Sequence, residues 1–268
     1  VPAPRDAEQI KAILAAAPRA ATDRTLHVVL LAGTKDHGAN EHDYPLWQKR
    51  WKVLLGGVGE GDEPVLNTFG PARPAGQNDL AGAENVRLET AWEWPSDEQW
   101  KTADLVVMFS APPWNERRLA QLDAYLRRGG GLVIMHLAVW HPSPELAAMV
   151  GASWKKESEY RHGPVALEIA DTNHPICLGL PRAITLIDES YFNLEGDRSD
   201  ATVLATSRET RRGETASLAE PMFWTREHGK GRVFVCIPGH YMWTFDDPLF
   251  RIVLLRGMAW TAGESPYR

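Results

Sequence analysis

The chain has 268 residues, 44% hydrophobic and 24% charged, a balance that excludes a disordered polymer and suits one continuous hydrophobic core. A formal net charge of -6, with no Lys/Arg run longer than a pair, argues against nucleic acid as a ligand. The apolar runs fall far short of the roughly 20 residues of a membrane span, and Cys177 and Cys236 alone can build neither a disulfide framework nor a cysteine-rich metal site.

The first residue, Val1, opens a Pro- and Ala-rich stretch that reads as a processed N-terminus, so export or a periplasmic location is expected, with the cytoplasm left open. Asp6–Ala17 carries Ile10, Ile13 and Leu14 at helical spacing and predicts a short helix within an N-terminal extension, 1–24. Leu26–Ala32 is a continuous apolar run that stops at Gly33, the pattern of a buried parallel strand. The following 34–85 is expected to be a long excursion over the site: polar and His-bearing to Pro45, helical over Tyr44–Leu55, and irregular from Gly56 to Gly82.

Val86–Ala91 and Leu105–Phe109 are predicted strands, and Asn115–Arg128 a helix with Leu119, Leu122 and Leu126 on one face and Gly129–Gly131 as its stop. Gly131–Met135 is again an apolar strand, and this strand, helix, strand rhythm carries the fold expectation. That expectation is a single α/β domain over 1–268, three-layered, with a mostly parallel sheet flanked by helices. Val165–Ile169, Ala183–Ile187, Ala201–Ala205, Pro221–Thr225 and Arg232–Ile237 follow as short strands, and Asp246–Ala262 as a C-terminal helix.

In open α/β sheets ligands sit beyond the carboxyl ends of the strands, so the residues after each apolar run are the first candidates. Asp36, His37 and His42 follow the first strand; His136 follows Gly131–Met135; Asp188, Glu189, Ser190 and Tyr191 follow Ala183–Ile187; Trp224 ends Pro221–Trp224; and His240 follows the last strand. A histidine at the end of a buried strand must find hydrogen bonds or cost about 1–3 kcal/mol in desolvation, which makes His136 the most informative. Each has an ordinary reading beside the functional one: His37 and His42 as solvated loop residues, His136 as a satisfied core histidine, Glu189 as an arginine partner, and the many tryptophans as packing.

The order Asp36-His37-Gly38, Gly131-Leu132-Val133-Ile134-Met135-His136, Asp188-Glu189-Ser190-Tyr191, Gly229-Lys230-Gly231-Arg232-Val233-Phe234, Pro238-Gly239-His240 and Asp246-Asp247-Pro248-Leu249-Phe250-Arg251 resembles the ThuA-like (trehalose-utilisation) family. The resemblance implies a class I glutamine amidotransferase-like, flavodoxin-like scaffold. In related amidotransferases a cysteine nucleophile follows the strand matching Gly131–Met135; here His136 stands near that place, so thioester chemistry is not expected. His136-Leu137-Ala138 also departs from the family's usual His-Gly-Ala.

The resemblance further implies a small-molecule carbohydrate, in particular a sugar or 3-keto-glycoside, handled by acid/base, metal-assisted or metal-free elimination, hydrolysis or isomerisation. His136, Glu189 and His240 are the expected catalytic residues. Asp36, His37, His42, Tyr191, Trp140 and Trp224 are the expected sugar contacts. His37, His42, His136 and His240 are the expected ligands if a divalent metal such as Zn²⁺, Mn²⁺ or Ni²⁺ is used. Homo-oligomerisation is left open. The competing reading is a non-catalytic carbohydrate-binding or assembly subunit on the same scaffold.

Overall fold

The computed structural model describes residues 2–16, 24–58 and 82–265. Helix α1 (Ala7–Ala15) starts where Asp6 accepts hydrogen bonds from the amides of Glu8 and Gln9. Strand β1 (Leu26–Ala32) is buried along its whole length, as a strand covered on both faces requires. Helix α2 (Tyr44–Gly56) is capped by Asp43 and has Pro45 in its first turn, where the missing N–H costs nothing. The interval 59–81, most of the predicted irregular excursion, lies outside the described residues.

Strand β2 (Val86–Trp92) is followed by α3 (Asp97–Thr102), an unpredicted short helix held by a reciprocal capping box between Ser96 and Gln99. Then β3 (Leu105–Met108), α4 (Glu116–Arg127) and β4 (Gly131–Met135) form the expected βαβ unit. A Cβ on Gly131 would lie 2.5 Å from the carbonyl oxygen of Thr261, so only glycine lets the last helix settle against this strand. A 3₁₀ turn over His136–Val139 leads to α5 (Pro144–Val150), β5 (Glu159–Ile169), β6 (Ala183–Phe192), β7 (Thr202–Thr210), β8 (Ser217–His228), β9 (Gly231–Cys236), α6 (Met242–Asp246) and α7 (Pro248–Thr261).

Among the described residues nine strands join one sheet, in the order β2-β1-β3-β4-β9-β8-β7-β5-β6. The pairings from β2 to β9 are parallel and those from β9 to β6 antiparallel. The sheet is therefore mixed, with a parallel half built from the expected apolar runs and an antiparallel half built from longer strands than expected. The antiparallel half arises because β8 and β9 join through the two-residue turn Gly229-Lys230, where Gly229 takes φ +62°, a connection only antiparallel neighbours can use.

The order in which strands are added reverses between the parallel neighbours β1 and β3: β1 leads outward to β2, and β3 leads the other way to β4. With right-handed crossovers, α2 and α4 must then cover opposite faces, and the crevice beyond β1 and β3 becomes the topological switch point where α/β sheets take ligands. A single buried cluster runs from Ile13 to Ala262 through both halves of the sheet. No helix among the described residues is long and apolar enough to cross a membrane.

Candidate functional site

Four segments meet at the carboxyl end of the parallel half: the loop after β1, the turn after β4, the last third of β6, and the loop after β9. The first and last are tied together by backbone. His42 N donates to His240 O (2.9 Å), Met242 N donates to Asn40 O (2.8 Å), and Glu41 pairs with Tyr241 in an isolated antiparallel bridge. Both His42 (φ +42°) and His136 (φ +50°) sit in the left-handed region, which non-glycine residues enter at a cost of about 1–3 kcal/mol, and such strain collects at functional sites.

Asp188 organises the floor from below. Its buried carboxylate accepts from the amides of Glu189 (2.7 Å), Gly239 (2.9 Å) and His240 (2.9 Å), and from the hydroxyl of Thr244. Gly239 is required here: at φ +148° a side chain would be strained, and its Cβ would lie 3.3 Å from that of His136.

On this base, His42, His136, Glu189 and His240 place one ligand atom each within 4.8 Å of one another, all four residues being buried. His136 Nε2 lies 2.9 Å from His42 Nε2, 2.9 Å from the hydroxyl of Tyr191 and 3.1 Å from Glu189 Oε2. His240 Nδ1 stands 2.8 Å from Glu189 Oε2 without the alignment of a hydrogen bond, and it has no other partner. On its far side each of two imidazoles is fixed: His136 Nδ1 donates to Ile237 O at 2.7 Å, and His42 Nδ1 to Asp36 Oδ1 at 3.0 Å.

The charges follow from these contacts. Burial opposes ionisation of Asp36, but hydrogen bonds from His42 and His37 outweigh it and hold the carboxyl at about 2. Burial lowers His42 to about 4, against the opposing bond to Asp36 and with the repulsion of His136, His240 and His37. Burial also resists charge on Glu189, yet His136 and His240 prevail and keep it ionised well below the usual carboxylate range. Tyr191 is pushed far up, first by burial and then by the neighbouring Glu189 carboxylate, so it remains a neutral hydroxyl.

Above the floor opens a cavity of about 450 Å³, a small-molecule size, lined by His42, Glu189, Tyr191 and His240 at the bottom and by His37, Glu41, Trp140, Tyr160 and His162 around the rim. Trp140 is 41% exposed and stacks on Trp154 with ring centroids 3.7 Å apart. His162 approaches Glu189 Oε1 at 3.4 Å and bonds the Tyr241 hydroxyl at 3.2 Å.

Of the residues expected from sequence, His42, His136, Glu189, His240 and Tyr191 come together, with Asp36 and His37 adjoining. His37 stays outside the four-donor floor; its ring packs 3.9 Å from His42 while Nδ1 bonds Asp36 (2.8 Å) on the exposed side. His136 does not line the cavity but stands behind Glu189. Trp224 is a correction to the expected sugar contacts: β8 runs on to His228, so Trp224 is an interior strand residue, fully buried, whose Nε1 donates to Val150 O at 2.7 Å. Likewise, Glu189 and Tyr191 lie within β6 and not after it.

His162, Glu41 and Tyr160 were not among the expected residues. His162 is the cross-strand partner of Glu189 in the β5–β6 ladder, and its signal was the alternation Tyr160-x-His162 ahead of Gly163-Pro164. Neither cysteine reaches the cavity: both are buried, Cys177 pushed up by burial to about 12 and Cys236 well above its usual value, so neither is a competent thiolate.

No curated protein matches the chain. Among solved structures, a ThuA-like protein from Bacteroides uniformis is similar at a TM-score of 0.63 and 16% identity, over 94% of this chain and 99% of that one. One from Parabacteroides merdae is similar at 0.61 and 19%, over 90% and 92%. A cold-adapted β-galactosidase from Rahnella is similar at 0.53 and 13%, over 88% of this chain but 31% of that one. The family model for trehalose utilisation, ThuA, matches residues 78–261, which include His136, Glu189 and His240 but not Asp36, His37 or His42. With more than half of its length matched by that model and ThuA-like proteins among its structural neighbours, the chain belongs to the ThuA family.

Proposed function

We propose that this protein is a carbohydrate-active enzyme that acts on a sugar or 3-keto-glycoside by proton transfer. The observation that carries the reading is a charged, buried carboxylate, Glu189, flanked by His136, His162 and His240 at the bottom of a cavity walled by Trp140 and Tyr160. Exposed aromatic faces suit sugar rings, and clustered titratable groups whose environments push their pKa values apart suit acid–base work. Family membership supports a carbohydrate substrate.

A ketone at the third sugar carbon acidifies the neighbouring C–H. A base in the cavity takes that proton, the electron pair moves into the carbonyl as an enolate, and its return expels the anomeric oxygen, which is protonated by an acid; water added afterwards completes hydrolysis. His162, on the rim and supported by Tyr241 and Glu189, is the imidazole best placed to exchange protons with substrate, because His136 is shielded. Glu189 holds a negative charge beside these imidazoles, and the neutral hydroxyl of Tyr191 is a donor for developing negative charge. A divalent metal, Zn²⁺, Mn²⁺ or Ni²⁺, belongs to the same reading; held by the floor residues, it supplies Lewis-acid stabilisation of an enolate oxygen.

The amidotransferase-like ancestry of the scaffold is part of this proposal. His136 occupies a strand-to-turn position with φ +50°, a backbone conformation suited to presenting one side chain at the end of the sheet, and a thiol is absent there. The test is turnover of glucosides against their 3-keto forms by the wild-type protein and by His162→Gln. Keto-glycoside turnover that falls at least about 100-fold in the variant, with sugar affinity held within a few-fold, is the expected result. Tight sugar binding without turnover by the wild type would instead favour the non-catalytic binding subunit.

A further inference from the structure

The hydrogen bonds around the floor fix which nitrogens carry hydrogen. A backbone carbonyl only accepts, so His136 Nδ1 must donate to Ile237 O, and His136 Nε2 is the atom turned towards His42, Glu189 and Tyr191. Asp36 is ionised and also only accepts, so His42 Nδ1 donates and His42 Nε2 is bare. These two nitrogens face each other at 2.9 Å. The hydroxyl of Tyr191 lies 2.9 Å from His136 Nε2 alone of the two. His240 Nδ1, on a residue 3% exposed, adds another buried atom with no hydrogen-bond partner, 2.8 Å from an ionised carboxylate oxygen. Nitrogen and carboxylate donors converging in a buried space need positive charge among them, and imidazoles held from behind by a carbonyl and a carboxylate are the usual supports of metal-bound histidine.

The spacing of the donors narrows the geometry. With metal–donor bonds of about 2.05 Å, neighbouring donors stand about 2.9 Å apart around an octahedral ion and about 3.3 Å apart around a tetrahedral one. The three successive separations here are 2.9 Å for His42 to His136, 3.1 Å for His136 to Glu189, and 2.8 Å for Glu189 to His240. Two of the three match the octahedral edge, and the His136–Glu189 separation lies between the two geometries. His42, Glu189 and His240 line the cavity and His136 closes the space behind, so the open side of the set faces the cavity.

We propose that His42, His136, Glu189 and His240 hold one divalent transition metal in an open, six-coordinate site whose two remaining positions face the cavity and bind two adjacent oxygens of one ligand. A sugar carrying a ketone beside a hydroxyl is such a chelator. This deepens the metal part of the function proposed above, and it replaces His37 by Glu189 in the ligand set. Mixed imidazole and carboxylate donors in this geometry suit Mn²⁺, Fe²⁺, Co²⁺ or Ni²⁺ better than a closed tetrahedral Zn²⁺ site.

The test loads chelator-stripped protein with Co²⁺ and follows stoichiometry by metal analysis and coordination by visible absorption. One equivalent with the weak bands of a six-coordinate ion, altered by acetohydroxamate as a bidentate oxygen ligand, is the expected result. Intense tetrahedral bands that ignore acetohydroxamate, or no stoichiometric uptake, would overturn the proposal. Glu189→Gln and His240→Ala should each weaken Co²⁺ binding at least about 10-fold while His37→Ala retains one equivalent; circular dichroism of each variant checks that it is folded, and the wild-type spectrum decides the question if one is not. Sugar turnover that survives complete metal removal would sink this inference and leave the carbohydrate reading intact. A stoichiometric open metal on a protein inert towards every keto-glycoside would do the reverse.

Discussion

The floor and the rim of the cavity are built from the same residue types by opposite means. On the floor, His42, His136, Glu189 and His240 are buried, two of them on strained backbone, and each is positioned by a group that does not line the cavity: Asp36, Ile237 O, or Asp188 through the amides it receives. On the rim, His37, His162 and Tyr160 are half in solvent and held by side-chain contacts at the surface. The difference teaches that the floor is preorganised, with its desolvation cost met during folding, whereas the rim can adapt to what enters.

The sharpest way to break this contrast is Asp188→Ala. Four donors would lose their buried acceptor at once, so unfolding in denaturant should show a loss of about 3–5 kcal/mol, and the floor should fail with it. An unfolding midpoint close to wild type would mean that the loop after β9 is held by something else.

Acid probes the floor next. His42 falls from the usual 6.5 to about 4 in the fold, so the unfolded chain binds more protons between these values and stability rises with pH across that window. Going down from pH 6.5 to pH 4 should therefore remove stability on the order of 3 kcal/mol from this group. Glu189, whose folded value is depressed, adds a loss in the same direction once pH drops below the ordinary carboxylate range. Equilibrium unfolding of metal-free protein across this range, repeated with His42→Gln, checks the assignment: the variant should show a flatter profile.

The rim gives the smallest effect. Trp140→Ala removes one face of the stack on Trp154 but no buried polar partner, so stability should stay within about 1 kcal/mol while sugar affinity falls several-fold, read by calorimetric titration. A large stability loss with unchanged affinity would show that the pair is simply core.

How much of this was legible in the chain divides along the sheet. The parallel half announces itself, because a strand buried on both faces is an unbroken apolar run and its first polar residue, as with Met135 to His136, stands at the ligand end. The antiparallel half does not. Along β5 the alternation of inner and exposed residues runs through Gly163-Pro164, but in the sequence that pair reads as a breaker; proline is tolerated there because β7 pairs β5 only from Leu167 on, leaving that edge open. His162 was lost with the missing half-strand. Trp224 failed for the converse reason: the strand around it continues, so a residue taken for a strand end is an interior one. Glu189 and His240 were visible as polar residues near strand ends, but their meeting depends on the pairing of β6 with β5 and on a loop following β9, which no local pattern encodes.

Asp188 also determines how the site can err. Because one carboxylate grips the backbone of Glu189 and of His240 together, the gap between those side chains is a property of main-chain geometry and not of rotamer choice. Shortening Glu189 to aspartate would draw its carboxylate back with no slack in either segment to follow it. Tolerance for conservative replacement should thus be lowest where the side chains look most interchangeable.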